Sequence, residues 1–148
     1  MRKSVCLVVV LLTLVAIGNA QGTVIKKGKL KNQTAPIPET VIVTPTTDGL
    51  FRLSLYASVT TIDISSKAYW YVNVFWTDDF GSQAAANILW GLPQWGGQFI
   101  NPAGGATIGG VESVFEAKAG TPISYSVTQT SGSDSSAYSL YYTLERLE

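Results

Sequence analysis

YWYVNVFW, residues 69–76, is the densest apolar stretch after the first 20 residues of the chain. Successive side chains of a β-strand point to opposite faces. One face would therefore carry two tryptophans and two valines, which are Trp70, Val72, Val74 and Trp76. The other would carry three rings and one amide, which are Tyr69, Tyr71, Asn73 and Phe75. Because neither face is charged, the pattern predicts a central strand with a protein core on one side and a second cover on the other.

Alternating or apolar runs separated by turn residues predict further strands on both sides of this stretch. They lie at residues 41–43, 50–60, 84–92, 111–117, 121–130 and 137–147. The last two runs flank a polar turn and predict a hairpin. About seven or eight short strands without a long helix predict an all-β fold, an antiparallel β-sandwich of the jelly-roll or immunoglobulin-like kind.

The first 20 residues have the pattern of a secretory signal peptide. Arg2 and Lys3 form a basic start, residues 5–17 are apolar, and small residues precede Gln21. We expect cleavage after Ala20 and a secreted protein, extracellular or periplasmic, with no stable membrane span once the signal is removed. An uncleaved N-terminal anchor is the alternative, although the apolar run is shorter than the ~20 residues of a transmembrane helix.

Residues 21–38 are basic and contain prolines. Four lysines cluster in this segment, namely Lys26, Lys27, Lys29 and Lys31. Pro36 and Pro38 favour an extended, non-helical backbone. We therefore expect a flexible leader that could include a short edge strand at 23–25, followed by a single β-sandwich domain at 39–148. The body lacks the basic face with interleaved aromatic residues that nucleic-acid binding requires.

From Gln21 onward the chain contains no cysteine, histidine or methionine. It therefore cannot form a Ser-His-Asp triad, a Cys-His dyad or a common zinc site. We expect no catalytic residues, no cofactor and no metal, and hence no enzyme. The absence of cysteine also argues against a disulfide scaffold and favours a bacterial exported protein.

Two pairs of acidic residues are the remaining candidates for catalysis or metal binding. Glu112 and Glu116 share one face of a predicted strand at a backbone separation of roughly 13 Å, whereas glycosidase carboxyl groups lie about 5 Å or 6.5–9.5 Å apart. A solvated strand face is the better interpretation. Asp78 and Asp79 beside Gly81 offer oxygen ligands for calcium, but aspartate is also a common turn residue and two adjacent acids do not make a site.

Aromatic residues on the uncharged face of the central strand are the strongest functional candidates. Tyr69, Tyr71 and Phe75 could form an aromatic patch on one sheet with Tyr141 and Tyr56. Such residues are enriched at subunit interfaces, and large apolar patches are rarely left in water. We therefore expect self-association into a homo-oligomer and a structural or assembly role, with the basic leader adding a strand to a neighbour as one route. The alternative is that the loop at 93–110 covers the patch.

The loop at 93–110 itself gives the alternative function. Trp95 lies there among glycines and between Gln94 and Gln98, a short distance after Trp90. An exposed ring could stack on a sugar while the amides bind its hydroxyl groups, as in a carbohydrate-binding module. The competing interpretation places Trp90 in the core and Trp95 as a plug at one end of the sandwich.

Overall fold

In a computed structural model, the described residues are 22–61, 63, 68–90, 107–130 and 135–148, with only the backbone described at 88–90 and 107–110. They form eight strands: β1 (Thr23–Gln33), β2 (Ile37–Val43), β3 (Gly49–Thr61), β4 (Trp70–Asp78), β5 (Gly81–Trp90), β6 (Thr107–Ala117), β7 (Ile123–Gln129) and β8 (Ala137–Arg146). Sheet A has the order β1-β8-β3-β6, and sheet B has the order β2-β7-β4-β5. All pairings are antiparallel. The predicted all-β antiparallel sandwich is confirmed.

β4 is a central strand of sheet B, hydrogen-bonded to β7 on one side and β5 on the other. Its predicted inner face is confirmed, because Trp70, Val72 and Val74 are fully buried and Trp76 packs partly buried against the core. The alternate residues of β4, beginning with Tyr71, remain partly exposed on the opposite side. The two-residue period therefore located both faces of this strand correctly.

Aromatic pairs join the inner faces of the two sheets. Trp70 packs on Tyr138 with ring centroids 5.2 Å apart, and Trp76 stacks on Phe115 at 4.7 Å. A third pair places Tyr125 within 5.4 Å of the Tyr142 ring. Burial raises the pKa of Tyr125 to about 12. Large rings from both sheets thus fill the space that small aliphatic residues would leave open.

The segment at 21–38, expected to be a flexible leader, differs from that expectation. It forms the 11-residue strand β1 along β8 and the beginning of β2. Leu30 packs against the core, and Gly28 lies directly opposite Tyr142. A Cβ atom at Gly28 would come within 2.0 Å of the Tyr142 ring, so the glycine makes room for that ring. The lysines occupy exposed positions around these two anchors, which explains why the composition suggested a solvated leader.

The predicted hairpin between the last two strands is wrong. β7 pairs with β2 and β4 in sheet B, whereas β8 pairs with β1 and β3 in sheet A. Residues 130–136 separate the two strands, which is longer than the common two- to five-residue hairpin loop. The chain therefore crosses between the sheets at this point. Within the described ranges there is no helix long and apolar enough to cross a membrane.

Candidate functional site

The outer face of sheet B is the leading candidate surface, and we call it the sheet B face. Across β4, β7 and β5, the register places small residues beside the outward residues of β4, apart from the pairing of Tyr71 with Ile88. The pairs are Tyr71 with Thr128, Asn73 with Ser126 and Ala86, and Phe75 with Ser124 and Ala84. On β2, exposed Val41 lies opposite Ser124 and extends the row to the sheet edge. The sheet B face is therefore a broad surface with the Tyr71 and Phe75 rings among hydroxyl and methyl groups, and the Glu39 carboxylate lies at its β2 edge.

The polar side chains of the sheet B face are bonded to one another. The Asn73 Nδ2 atom donates hydrogen bonds to Ser126 Oγ and Thr128 Oγ1, each at 3.1 Å. At the edge, Ser124 Oγ donates to Glu39 Oε1 at 2.6 Å. Ser124 and Ser126 are only 1% and 8% exposed, although they lie on the outer side of the sheet. Because these polar groups already have partners, covering the face would leave few of them without a hydrogen bond.

Tyr69 lies just before β4 and continues its pairing with β7. Its backbone nitrogen donates to Thr130 Oγ1 at 2.8 Å, and its carbonyl accepts from the Thr130 nitrogen at 2.9 Å. The ring is partly exposed and belongs to the same alternate series as Tyr71. Of the residues predicted to form an aromatic patch, the structure therefore groups Tyr69, Tyr71 and Phe75 along one strand.

Tyr141 and Tyr56 are not part of this group, because β8 and β3 belong to sheet A. Their rings stack on each other with centroids 4.7 Å apart and an angle of 10° between the planes. Lys29 Nζ lies 4.9 Å from the centroid of the Tyr141 ring. The single patch expected from the sequence is thus divided between the two outer sides of the sandwich. Alternation shows which residues of a strand point outward, but it does not show which sheet the strand joins.

The outer face of sheet A, which we call the sheet A face, carries charged side chains of both signs. Arg52 and Glu145 form an ion pair, with Nε donating to Oε2 at 2.8 Å. The hydrogen bond and the charge of Glu145 raise the pKa of Arg52. A shallow groove beside the stacked tyrosines is lined by residues that include Lys27, Ser54 and Thr143. This face therefore combines two rings with a hydrated, charged surface.

The acidic pairs occupy strand and turn positions. Glu112 and Glu116 are exposed on β6, and Glu112 accepts a long hydrogen bond of 3.4 Å from Ser54 Oγ. Asp78 Oδ1 accepts hydrogen bonds from the Phe80 nitrogen at 2.8 Å and Gln83 Nε2 at 3.1 Å, as expected for a turn aspartate.

Asp79 forms an ion pair with Lys118, which raises the pKa of that lysine. Gly81, with φ of 108°, closes the turn in a conformation that other residues rarely adopt. Among the side chains that the structure describes, no group of three or more His, Cys, Asp or Glu residues could hold a metal ion.

The residues of the carbohydrate-binding alternative lie mostly outside the described ranges. This applies to Gln94, Trp95 and Gln98. The backbone of Trp90 ends β5 opposite Trp70. The alternative function therefore stays a prediction.

Two elements of the sheet B face were missed in the sequence. The first is the hydroxyl row of β7, visible as serine or threonine at every second position through Ser124, Ser126 and Thr128. The second is Val41, whose place beside Ser124 depends on a pairing between distant strands. Comparison of the chain with models of known protein families, with curated proteins and with solved structures found no match. The geometry of the two outer faces is therefore the basis for assigning a function.

Proposed function

We propose that the protein is a secreted, non-enzymatic structural module that assembles by burying its sheet B face against a second copy of the same chain. The observation that carries this proposal is the hydrogen bonding of the face. Asn73 bonds to Ser126 at the centre of the face, and Ser124 bonds to the Glu39 carboxylate at its edge, so covering the centre of the face costs little desolvation. Tyr71 and Phe75 then supply apolar area that gains from being removed from water.

An identical subunit is the simplest occupant of such a face. Sheets pack face to face at about 10 Å, and a two-fold axis lets one flat surface cover its own copy. The row from Val41 through Ser124 and Phe75 to Ala84 spans all four strands of the sheet. A second copy related by a two-fold axis would pack its own rings against these small side chains. Side chains of two packed sheets interdigitate in this way.

Sedimentation velocity of the purified protein at increasing concentration tests the proposal. It is run in about 0.5 M NaCl, where contacts between exposed charges are largely screened. We expect concentration-dependent association of the wild type and a monomer for the Tyr71→Ser/Phe75→Ser double variant. Apolar burial accounts for this difference, because both substitutions remove aromatic surface without adding charge.

Two control variants separate this effect from a general loss of aromatic surface. Phe80→Ser removes a ring that is 94% exposed at the tip of the β4–β5 turn. Tyr56→Ser/Tyr141→Ser removes the stacked pair of the sheet A face. Both should associate like the wild type, and circular dichroism should show a folded protein in every case. A wild type that remains monomeric at all concentrations, or a double variant that associates normally, would contradict the proposal.

A further inference from the structure

The two edge strands of sheet A carry opposite charges on the sheet A face. β1 has lysines at alternate exposed positions, Lys27, Lys29 and Lys31, which we call the cationic edge. β6 has exposed Glu112 and Glu116, which we call the acidic edge. Lys27 and Lys29 lie opposite Thr143 and Tyr141 of β8, and Glu112 lies opposite Ser54 of β3. In the described part of the chain, β1 pairs only with β8, and β6 only with β3.

Strand direction makes these two edges compatible with each other. Each neighbouring pair in the order β1-β8-β3-β6 is antiparallel, so β1 and β6 run in opposite directions. A second copy shifted sideways along the sheet would therefore place its β6 antiparallel to β1 of the first. The same shift keeps the sheet A faces of both copies on the same side. The lysines and glutamates would then share one surface of a continuous sheet.

One register matches the charged side chains of the two edges. If Glu116 lies opposite Lys27, the two-residue alternation brings Glu112 to the level of Lys31, where β1 has a register shift in its pairing with β8 between Leu30 and Gln33. Directly opposed residues of antiparallel strands have Cβ atoms about 4.5–5.5 Å apart, which is close enough for a charge pair. Between these two pairs, Lys29 meets Val114, which is 55% exposed. Lys29 needs no carboxylate there, because its ammonium group already lies over the Tyr141 ring.

The same charges disfavour the competing arrangements. Two copies of β1 side by side would oppose lysine to lysine, and two copies of β6 would oppose glutamate to glutamate. The ion pairs found within the described residues are Arg52–Glu145 and Lys118–Asp79, so the charges of both edges remain available to a partner. Only the pairing of unlike edges is complementary.

We propose that the cationic edge of one copy pairs with the acidic edge of the next, so that sheet A continues from subunit to subunit. This contact rests on the proposed assembly function but uses a different surface from the sheet B face. It joins unlike surfaces, so repetition gives a row of subunits or a closed ring rather than a simple dimer. Contact through the sheet B face would then join two such rows.

Charge-reversal variants in a Tyr71→Ser/Phe75→Ser background isolate this contact. Sedimentation velocity is run at about 20 mM salt and repeated at about 0.5 M, because screening separates charge contacts from apolar ones. Lys27→Glu/Lys31→Glu makes both edges acidic, and Glu112→Lys/Glu116→Lys makes both edges basic. Each variant alone should lose roughly tenfold or more of the low-salt association constant of the background protein.

Mixing the variants is the decisive measurement. An equimolar mixture of the two charge variants restores unlike edges and should recover association. The matched control mixes Lys27→Glu/Lys31→Glu with Asp79→Lys/Glu148→Lys, which has the same net charge as the β6 variant but keeps an acidic β6. This control mixture should stay dissociated.

Two outcomes would overturn the edge contact. One is a background protein that is monomeric at about 20 mM salt. The other is a control mixture that associates as strongly as the designed pair, which would mean that net charge alone drives association. Neither outcome affects the Tyr71-dependent association at high salt, so failure of the edge contact and failure of the proposed function are distinguishable.

Discussion

Both outer faces of this sandwich carry aromatic rings, yet they differ in how their polar groups are satisfied. On the sheet A face, Tyr56 and Tyr141 stack on each other beside the Arg52–Glu145 ion pair. On the sheet B face, Tyr71 and Phe75 stand among small side chains, and the amide of Asn73 bonds to neighbouring hydroxyls. The number of exposed rings therefore does not distinguish a binding face from a solvated one.

The bonding of the polar neighbours does distinguish the faces, because it sets the cost of removing water. Taking exposed charges out of water costs several kcal/mol per ion unless excellent partners replace the solvent. Uncharged groups that are already hydrogen-bonded lose little when they are covered. The centre of the sheet B face meets this second condition, with the Glu39 carboxylate kept to its edge, while the sheet A face suits solvent over its centre and charge pairing at its edges. Each variant below tests a different part of this contrast.

The largest expected effect tests whether Tyr71 really belongs to an outer face. Trp70 is fully buried against Tyr138, so Trp70→Ala should cost about 3–5 kcal/mol of unfolding free energy. Its neighbour points to the opposite side and is partly exposed, so Tyr71→Ala should cost about 1 kcal/mol. Urea denaturation of both variants, at a concentration where the protein is monomeric, measures the difference. Equal losses would make Tyr71 a core residue and remove the contrast between the faces.

An intermediate effect is expected from the hydrogen bonds of the sheet B face. Asn73→Ala removes donors to Ser126 and Thr128 and should cost about 1–2 kcal/mol, because the nearly buried Ser126 hydroxyl loses its partner. The matched variant of the sheet A face is Ser54→Ala, which removes only the long contact to Glu112 and should stay within about 0.5 kcal/mol. Thermal unfolding of the two variants side by side gives the comparison. Similar losses would mean that the bonding on the two faces is energetically the same.

Local periodicity was enough to predict both faces of β4. Neighbouring residues of a strand, such as Trp70 and Tyr71, point to opposite sides of the sheet. It was also enough for the class of fold, because strands separated by turns leave few other architectures. It could not place Tyr141, whose sheet depends on the pairing of β8 with β3, where its partner Tyr56 lies 85 residues earlier in sequence. For the same reason the hairpin between β7 and β8 was predicted wrongly.

The N-terminal strand illustrates a different limit of the sequence. Lysine is the commonest residue between positions 21 and 38, yet the contacts of this segment with the core include those of Gly28 and Leu30. Gly28 matters through the Tyr142 ring that occupies its space, and that contact joins positions 114 residues apart. A sequence pattern has no local signal for such an arrangement. Whether the lysines lie along an edge of sheet A depends on the pairing of β1 with β8. The cationic edge is therefore not visible from the sequence alone.

The smallest expected effect concerns the Arg52–Glu145 ion pair, which defines the charged character of the sheet A face. Both side chains are partly exposed, at 37% and 21%, so solvent and salt compete with their attraction. A double-mutant cycle of Arg52→Ala and Glu145→Ala should therefore give a weak coupling at low salt that disappears at about 0.5 M. Urea denaturation at both salt concentrations measures it. A coupling that persists at high salt would show that the pair is shielded from solvent. The ion pair would then not contribute a hydrated charge to the sheet A face, and the contrast with the sheet B face would be weaker.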